Sequence, residues 1–388
     1  MLVRYSKFPQ LLFISATLVF LAIPLIAQDR AAAEGLVSQG RAFEAQRELD
    51  KAVDAYRRAI VADPDYAPAY VGLGSVLNNL RQATDAADSY KTAIRLDPKN
   101  AQAHEGLGIV YMNLRRMSEA IDELNEAIKL DPKRSTPYNH LGNALMQSQR
   151  FDEAIANYKK AIELLPTFGG YHFNVGLAYF NQSKFPDAIE SFEAALKITG
   201  NERQSRYYLS KSYTSVGRYR DAVDSWTKFL EVVPDGPEAL GYRGWNYLYV
   251  GNSGQLAAAD SQRYLKLYGW KDQVAPYHVI VGFVGYRTAG MDAEAQALLS
   301  EGMKKLVPDR WPYPIVRFFN GELTSDELLS RTANNDQRTE AKTYVGIDMR
   351  LKGKYEEARK QFEWVRDYGN RFFTEYPLAT AELSRLPK

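Results

Sequence analysis

AQAHEGLGIVYMNLRRMSEAIDELNEAIKLDPKR, residues 101–134, decides how the chain is read. His104, Leu107, Gly108 and Tyr111 recur at steps of three and four residues, the stripe of one amphipathic helix. Ala120, Leu124 and Ala127 make the matching stripe of a second helix. Gly108 and Ala120 are small, as two antiparallel helices with closely approaching backbones require. Asp131-Pro132 ends the second helix, because proline has no amide hydrogen and turns its predecessor away from helical backbone.

Outward from this unit, the same residue types return every 34 positions. Prolines stand at 64, 98, 132 and 166, with Gly200 in the next place and Pro234 after it. Alanines stand at 52, 86, 120, 154, 188 and 222, and again at 59, 93, 127, 161 and 195. Glycines stand at 40, 74, 108, 142 and 176, give way to Ser210, and resume at Gly244. Tyr56, Tyr90, Leu124, Tyr158, Phe192 and Trp226 fill a further slot. Independent series sharing one period are the mark of a repeat array. A single hairpin cannot bury its apolar faces, whereas stacked neighbours bury a continuous core.

Six units, 33–66, 67–100, 101–134, 135–168, 169–202 and 203–236, resemble the tetratricopeptide repeat (TPR) in their small and aromatic positions. The resemblance implies an all-α, right-handed superhelix (a solenoid) of about 8–9 helical hairpins. It also implies that the first helices of the pairs line a concave groove. Three segments are expected: 1–27, a regular array over 30–236, and a degenerate repeat region with a capping helix over 237–388.

Beyond 236 the register loosens. A seventh unit starts at Pro237 with Gly244 and Tyr247 in place, and Ala258 takes the small slot after Gly251-Asn252-Ser253-Gly254. An eighth pair, roughly 275–308, keeps Gly282, Tyr286 and Ala295. Residues 310–331, RWPYPIVRFFNGELTSDELLSR, are no repeat unit, but Thr324-Ser325-Asp326-Glu327 reads as a capped helix start. Asn334-Asn335 reads as a loop, a ninth unit returns at 339–370 with Gly346, Ala358 and Phe362, and a helix over about 371–385 caps the array. Trp311-Pro312, Phe319-Asn320-Gly321, Leu328, Gly346, Gly353, Ala358, Phe372 and Glu375-Tyr376 resemble the end of NlpI-like envelope adaptor proteins. That resemblance implies an adaptor role. Those relatives are tethered through a lipidated cysteine, and this chain has no cysteine.

The start of the chain differs from the rest. Arg4 and Lys7 precede an apolar run from Leu11 to Ala27, followed by Gln28-Asp29-Arg30. This is the layout of a signal peptide, or of an uncleaved anchor giving membrane association through residues 11–27. Either way the bulk of the chain is expected to be exported, periplasmic or secreted. Without those two basic residues the remainder carries 47 Lys+Arg and 47 Asp+Glu, a formal charge of zero. Nucleic-acid binding draws on a surplus of positive charge, so no nucleic-acid partner is expected. The lack of cysteine excludes disulfides, thiolate metal sites and cysteine nucleophiles.

No constellation points to catalysis, a metal or a cofactor. His104 and His172 hold the same slot two units apart, and with His140 and His278 read as packing or groove-lining residues. His104-Glu105 lacks the second histidine of a zinc-protease motif. Gly72-x-Gly74 and Gly106-x-Gly108 lack the third glycine of a dinucleotide loop, and their repeat slots explain them.

The groove-facing offsets implied by the family give Asn139, His140, Asn143 and Gln147 in the fourth unit, and Phe173, Asn174, Leu177 and Asn181 in the fifth. They give Tyr207, Tyr208 and Lys211 in the sixth, and Tyr242, Trp245 and Tyr249 in the seventh. Asn139, Asn143 and Asn174 suit the backbone of an extended peptide, and the aromatics are anchor types enriched in hot spots. The three asparagines resemble the polar half of a carboxylate clamp. Its basic half would fall at Gln204 and Tyr208, so C-terminal carboxylate recognition by that route is not expected. The reading is a non-enzymatic scaffold or adaptor that binds other proteins or extended peptides. The alternative is a self-assembling structural protein, a homo-oligomer using the aromatic C-terminal half as interface.

Overall fold

The computed structural model describes residues 13–200, 202–308, 310–371 and 373–387, with side chains from residue 29 onward. Every regular element among them is α-helical. The chain forms two compact units, one ending at Ala178 and one beginning at Tyr179.

The first unit holds α1 (Phe13–Ala45), α2 (Leu49–Ala62), α3 (Ala67–Asn79), α4 (Ala83–Leu96), α5 (Ala101–Asn113), α6 (Met117–Leu130), α7 (Ser135–Gln147), α8 (Phe151–Leu164) and most of α9 (Gly169–Asn181). Each odd-numbered helix from α1 to α7 packs on the even one after it, and α1, α3, α5 and α7 also touch in series. First helices therefore lie side by side, which places their outward residues on one face.

The residue ladders have direct steric causes. Ala52, Ala86, Ala120 and Ala154 have no exposed surface, because the partner helix occupies the space a larger side chain would need. A Cβ added at Gly40 would stand 2.7 Å from the Tyr56 ring, and one at Gly72 would stand 2.3 Å from the same ring. Tyr56 is thus clasped between its own hairpin and the next. Tyr90 is clasped in the same way by Gly74 and Gly106, at 2.9 and 2.3 Å. This clasp accounts for the Gly-x-Gly pairs.

Each turn between paired helices is a Schellman motif. Arg116 N–H donates to Tyr111 O (2.8 Å) and Arg115 N–H to Met112 O (3.0 Å). The residue at its centre is left-handed: Arg47, Arg81, Arg115 and Gln149 have φ of 61°, 61°, 62° and 59°. At the other end of the hairpin, Asp63, Asp97 and Asp131 accept the backbone N–H of Asp65, Lys99 and Lys133. These Asx turns satisfy donors that the following proline-bearing turn leaves without helical partners.

The second unit continues with α10 (Phe185–Thr199), α11 (Arg203–Ser215), α12 (Tyr219–Val232), α13 (Pro237–Val250), α14 (Gly254–Tyr268), α15 (Ala275–Thr288) and α16 (Asp292–Lys305). Then follow α17 (Tyr313–Phe319), α18 (Ser325–Ser330), α19 (Asn335–Leu351), α20 (Tyr355–Tyr368) and α21 (Glu375–Arg385). The sixth, seventh and eighth hairpins are α11/α12, α13/α14 and α15/α16, and α19/α20 is a ninth. The loosened register has a cause at α14 and α15: a Cβ at Gly254 would meet Gly285 O at 2.3 Å, and one at Gly285 would meet Gly254 O at 2.4 Å. Backbone-to-backbone contact here replaces the ring-on-glycine contact of the regular repeats.

Thr324 caps α18 through a full capping box with Glu327, as its sequence predicts. Asn334-Asn335 is not a free loop. The Asn334 side chain accepts Gln337 N–H at 2.9 Å and Asn335 opens α19, four residues earlier than the expected unit. The last helix does more than cover the end of the stack, since α21 packs on α19, α20 and α13. Arg385 Nη1 donates to Leu248 O at 3.2 Å and binds Glu382 at 2.9 Å. Among the described residues no helix is long and apolar enough to cross a membrane. The leader or anchor expected over 1–27 lies outside the residues whose side chains are described.

Candidate functional site

The sequence-predicted face is distributed over both units, and each part stands by itself. In the first unit, Asn174 Nδ2 donates to Asn139 Oδ1 at 2.8 Å, and the Tyr158 hydroxyl donates to Asn143 Oδ1 at 2.8 Å. These bonds fix both asparagines and leave their NH2 groups without a protein partner among the described residues. His140 is half-buried, its Nε2 3.6 Å from Glu105 Oε1, and burial lowers its pKa. Glu105 also takes Arg134 Nη2 at 2.6 Å. Exposed Gln147 accepts from Arg115, while Phe173 and Leu177 are half-buried on α9. Asn181 is exposed at the end of α9 and belongs to the second unit.

The other histidines are tied into packing. His104 Nδ1 lies 2.7 Å from Glu123 Oε2, a bond that raises its pKa. His278 is buried flat against Tyr264, ring centroids 3.6 Å apart, and burial pushes its pKa down to about 3. No cluster of three histidine or acidic residues able to hold a metal occurs among the described residues.

In the second unit the face is aromatic. Tyr208 stacks on Phe192 (5.8 Å between centroids) and meets Phe180 edge-on (5.2 Å). Tyr207 stands edge-on to Trp226 and donates its hydroxyl to Glu238 Oε2 at 2.5 Å. Lys211 Nζ lies 5.3 Å from the Tyr207 ring and 5.4 Å from the Tyr242 ring, a cation held by two π faces. Tyr242 stacks on Trp226. Trp245 is 8% exposed and packs on Tyr249 and Tyr344. Tyr249 departs from the expectation. It is 2% exposed, and its hydroxyl donates to Thr374 O at 2.7 Å, so it joins the core and not the open face.

Tyr242 and Trp245 lead into a feature that the sequence did not reveal. A cavity of about 490 Å³, open to solvent, is lined by residues of α13, α14, α15 and α19 and by Phe373, Thr374 and Glu375. Two carboxyls stand in its wall. Glu340 accepts Trp311 Nε1–H at 2.5 Å and the Tyr277 hydroxyl at 3.3 Å. Glu375 accepts the Tyr344 hydroxyl at 3.0 Å through Oε1, and its buried Oε2 has no partner among the described residues. Burial raises the pKa of both, and the Glu375 charge raises that of Glu340 further. Signals for both existed. Glu340 lies on the same helical stripe as Tyr344 and Ile347, and Glu375 on the stripe of Leu378, Ala379 and Glu382. A carboxylate inside a buried stripe is the exception that marks a site.

Models of the tetratricopeptide repeat match residues 22–67, 71–135 and 169–202, and a TPR-repeat model matches 142–183. The chain is a tetratricopeptide-repeat protein. Among solved structures, MamA is 29% identical, with 41% of this chain and 94% of that chain covered and a TM-score of 0.38. PilF of Pseudomonas aeruginosa is 19% identical over 55% of this chain and 96% of that chain, TM-score 0.49. YrrB, described as a TPR protein with an unusual peptide-binding site, is 22% identical over 48% and 97%, TM-score 0.42. No curated protein matches the chain. The matched family residues end at 202, so they do not confirm the NlpI-like resemblance of the C-terminal stretch.

Proposed function

We propose that the chain is an extracytoplasmic scaffold that binds other proteins through extended segments laid on its first-helix faces, without catalysing a reaction. One observation carries this reading. The outward residues of the first helices are pre-organised but not used up: Asn139 and Asn143 are oriented by neighbours and keep free donors, and Lys211 is held between two half-exposed tyrosines. Rigid side chains with spare hydrogen-bonding capacity lower the ordering cost of binding. Export is supported by Arg4, Lys7 and the apolar run to Ala27.

A random dodecapeptide array tests the binding claim. Asn139→Ala with Asn143→Ala, and separately Lys211→Ala, should each lower capture while the helical signal stays intact. Capture unchanged by both sets rejects these faces. Light scattering over a concentration range tests self-assembly, and growth of mass with concentration would favour the homo-oligomeric alternative.

A further inference from the structure

The cavity of the second unit has an unusual charge pattern. Its charged lining residues are Glu238, Asp272, Glu340 and Glu375, with no lysine or arginine among them. His278, its one imidazole, is kept neutral by burial. The outer two acids are engaged, Glu238 by the Tyr207 hydroxyl and Asp272 by the Tyr264 hydroxyl at 2.7 Å and by Val274 N–H. The inner two are nearly inaccessible, yet their hydrogen-bond donors are neutral hydroxyls and an indole, and no ion pair among the described residues includes either one. A buried carboxylate without a counter-charge is costly, and an unsatisfied oxygen adds to that cost. Glu375 Oε2 is such an oxygen, in a residue 1% exposed on the cavity wall.

The rest of the lining is aromatic: Tyr242, Trp245, Tyr264, Tyr277 and Phe373. Ring faces attract cations and solvate alkyl stems, and an acid at the end of such a chamber takes the charged head. The volume falls within the roughly 300–1,000 Å³ of small-ligand sites. We propose that this cavity receives the protonated lysine or arginine side chain of a bound polypeptide, with Glu375 and Glu340 as the anionic floor and Trp245 and Tyr277 as walls. The occupant's ammonium or guanidinium supplies the donor that Glu375 Oε2 lacks and the charge that the acid pair lacks. The inference rests on the polypeptide-binding reading above and assigns it a side-chain preference.

Trp245 and Trp311 adjoin the acids, so tryptophan emission of the full chain reports occupancy. The unmodified protein is titrated with N-acetyl-lysine methylamide, N-acetyl-arginine methylamide and the uncharged N-acetyl-norleucine methylamide. The two cations should saturate at concentrations where norleucine does not. Glu375→Gln, nearly isosteric, should weaken them about tenfold or more, with Glu340→Gln as the second variant. Equal response to norleucine, or no saturable response to either cation by the unmodified chain, overturns the site whether or not a variant folds. The dodecapeptide array separates this failure from that of the broader reading. Captured peptides enriched in lysine or arginine, with the enrichment lost in Glu375→Gln, support the assignment. Capture without that enrichment overturns it and leaves the scaffold reading standing. Saturation by the capped amino acids with no peptide captured overturns both the scaffold reading and the polypeptide as occupant.

Discussion

Trp226 and Tyr242 stack with ring centroids 5.4 Å apart and planes 4° from parallel. They are 16 residues apart in sequence, as are Tyr56 and Gly72, and Tyr90 and Gly106. One inter-hairpin slot thus changes along the chain: in the first two hairpins a ring presses on bare backbone, Leu124 and Tyr158 face His140 and Asn174 in the next two, and in the second unit a ring presses on a ring. Phe192 and Tyr208 repeat the ring-on-ring solution. The exchange of glycine for tyrosine turns a packing position into a partly exposed aromatic surface.

The clasp predicts a coupled pair. Gly106→Ala drives a Cβ to 2.3 Å from the Tyr90 ring and should cost about 1–3 kcal/mol of stability in chemical denaturation. In a Tyr90→Leu background the same change should be close to neutral, a coupling that a double-mutant cycle measures. Equal cost in both backgrounds would mean that the ring is not what demands glycine.

Ala120 has no exposed surface, and its carbonyl oxygen would lie 3.2 Å from a Cβ at Gly108. Ala120→Leu should therefore overpack the α5/α6 contact and cost about 1–3 kcal/mol. An unchanged denaturation midpoint would show that the two helices separate easily.

Gln149 is exposed and left-handed at φ 59°. Gln149→Gly removes the steric penalty of that backbone but adds freedom to the unfolded chain, and the net expectation is a gain of about 0.5–1 kcal/mol. A loss of stability would show that the side chain contributes more than its conformation costs.

Glu340 and Glu375 have raised folded-state pKa values, burial being the first cause. A carboxyl raised in the fold binds its proton more tightly there than when unfolded. It stabilises fully below the ordinary carboxylate value and loses that contribution as pH climbs through the raised one. Without ligand, the second unit should therefore lose stability as pH rises from about 5 toward the alkaline side. Glu340→Gln should flatten this dependence, and an unchanged slope would place the proton elsewhere.

How much of this was legible follows from contact range. Ala52, Gly74, Tyr90 and their equivalents contact residues in the same or the next hairpin, so one 34-residue window contains the reasons for its own pattern. The tetratricopeptide repeats were readable for that reason. Asn139, Asn143, Tyr242 and Lys211 were placed by the groove-facing offsets that the family resemblance implies, and they stand half-exposed on first helices. Tyr249 was misplaced because the helix that covers it, α21, lies more than a hundred residues later and outside any period. The acid-floored cavity was hidden for the same reason. Its walls come from Pro237 to Glu375, and no local spacing relates Trp245 to Glu340.

The closure of α21 onto α13 also sets an order of assembly. Neighbouring hairpins such as α1/α2, α3/α4 and α5/α6 can stack as soon as they have left the ribosome, since their partners are next in line. The contacts of Arg385 with Leu248 and of Thr374 with Tyr249 span 137 and 125 residues, so they wait for synthesis to pass residue 385. Until then the aromatic walls around Trp245 stand open as sticky, unfinished surface. That interval is when the nascent chain is most exposed to aggregation and most in need of a chaperone.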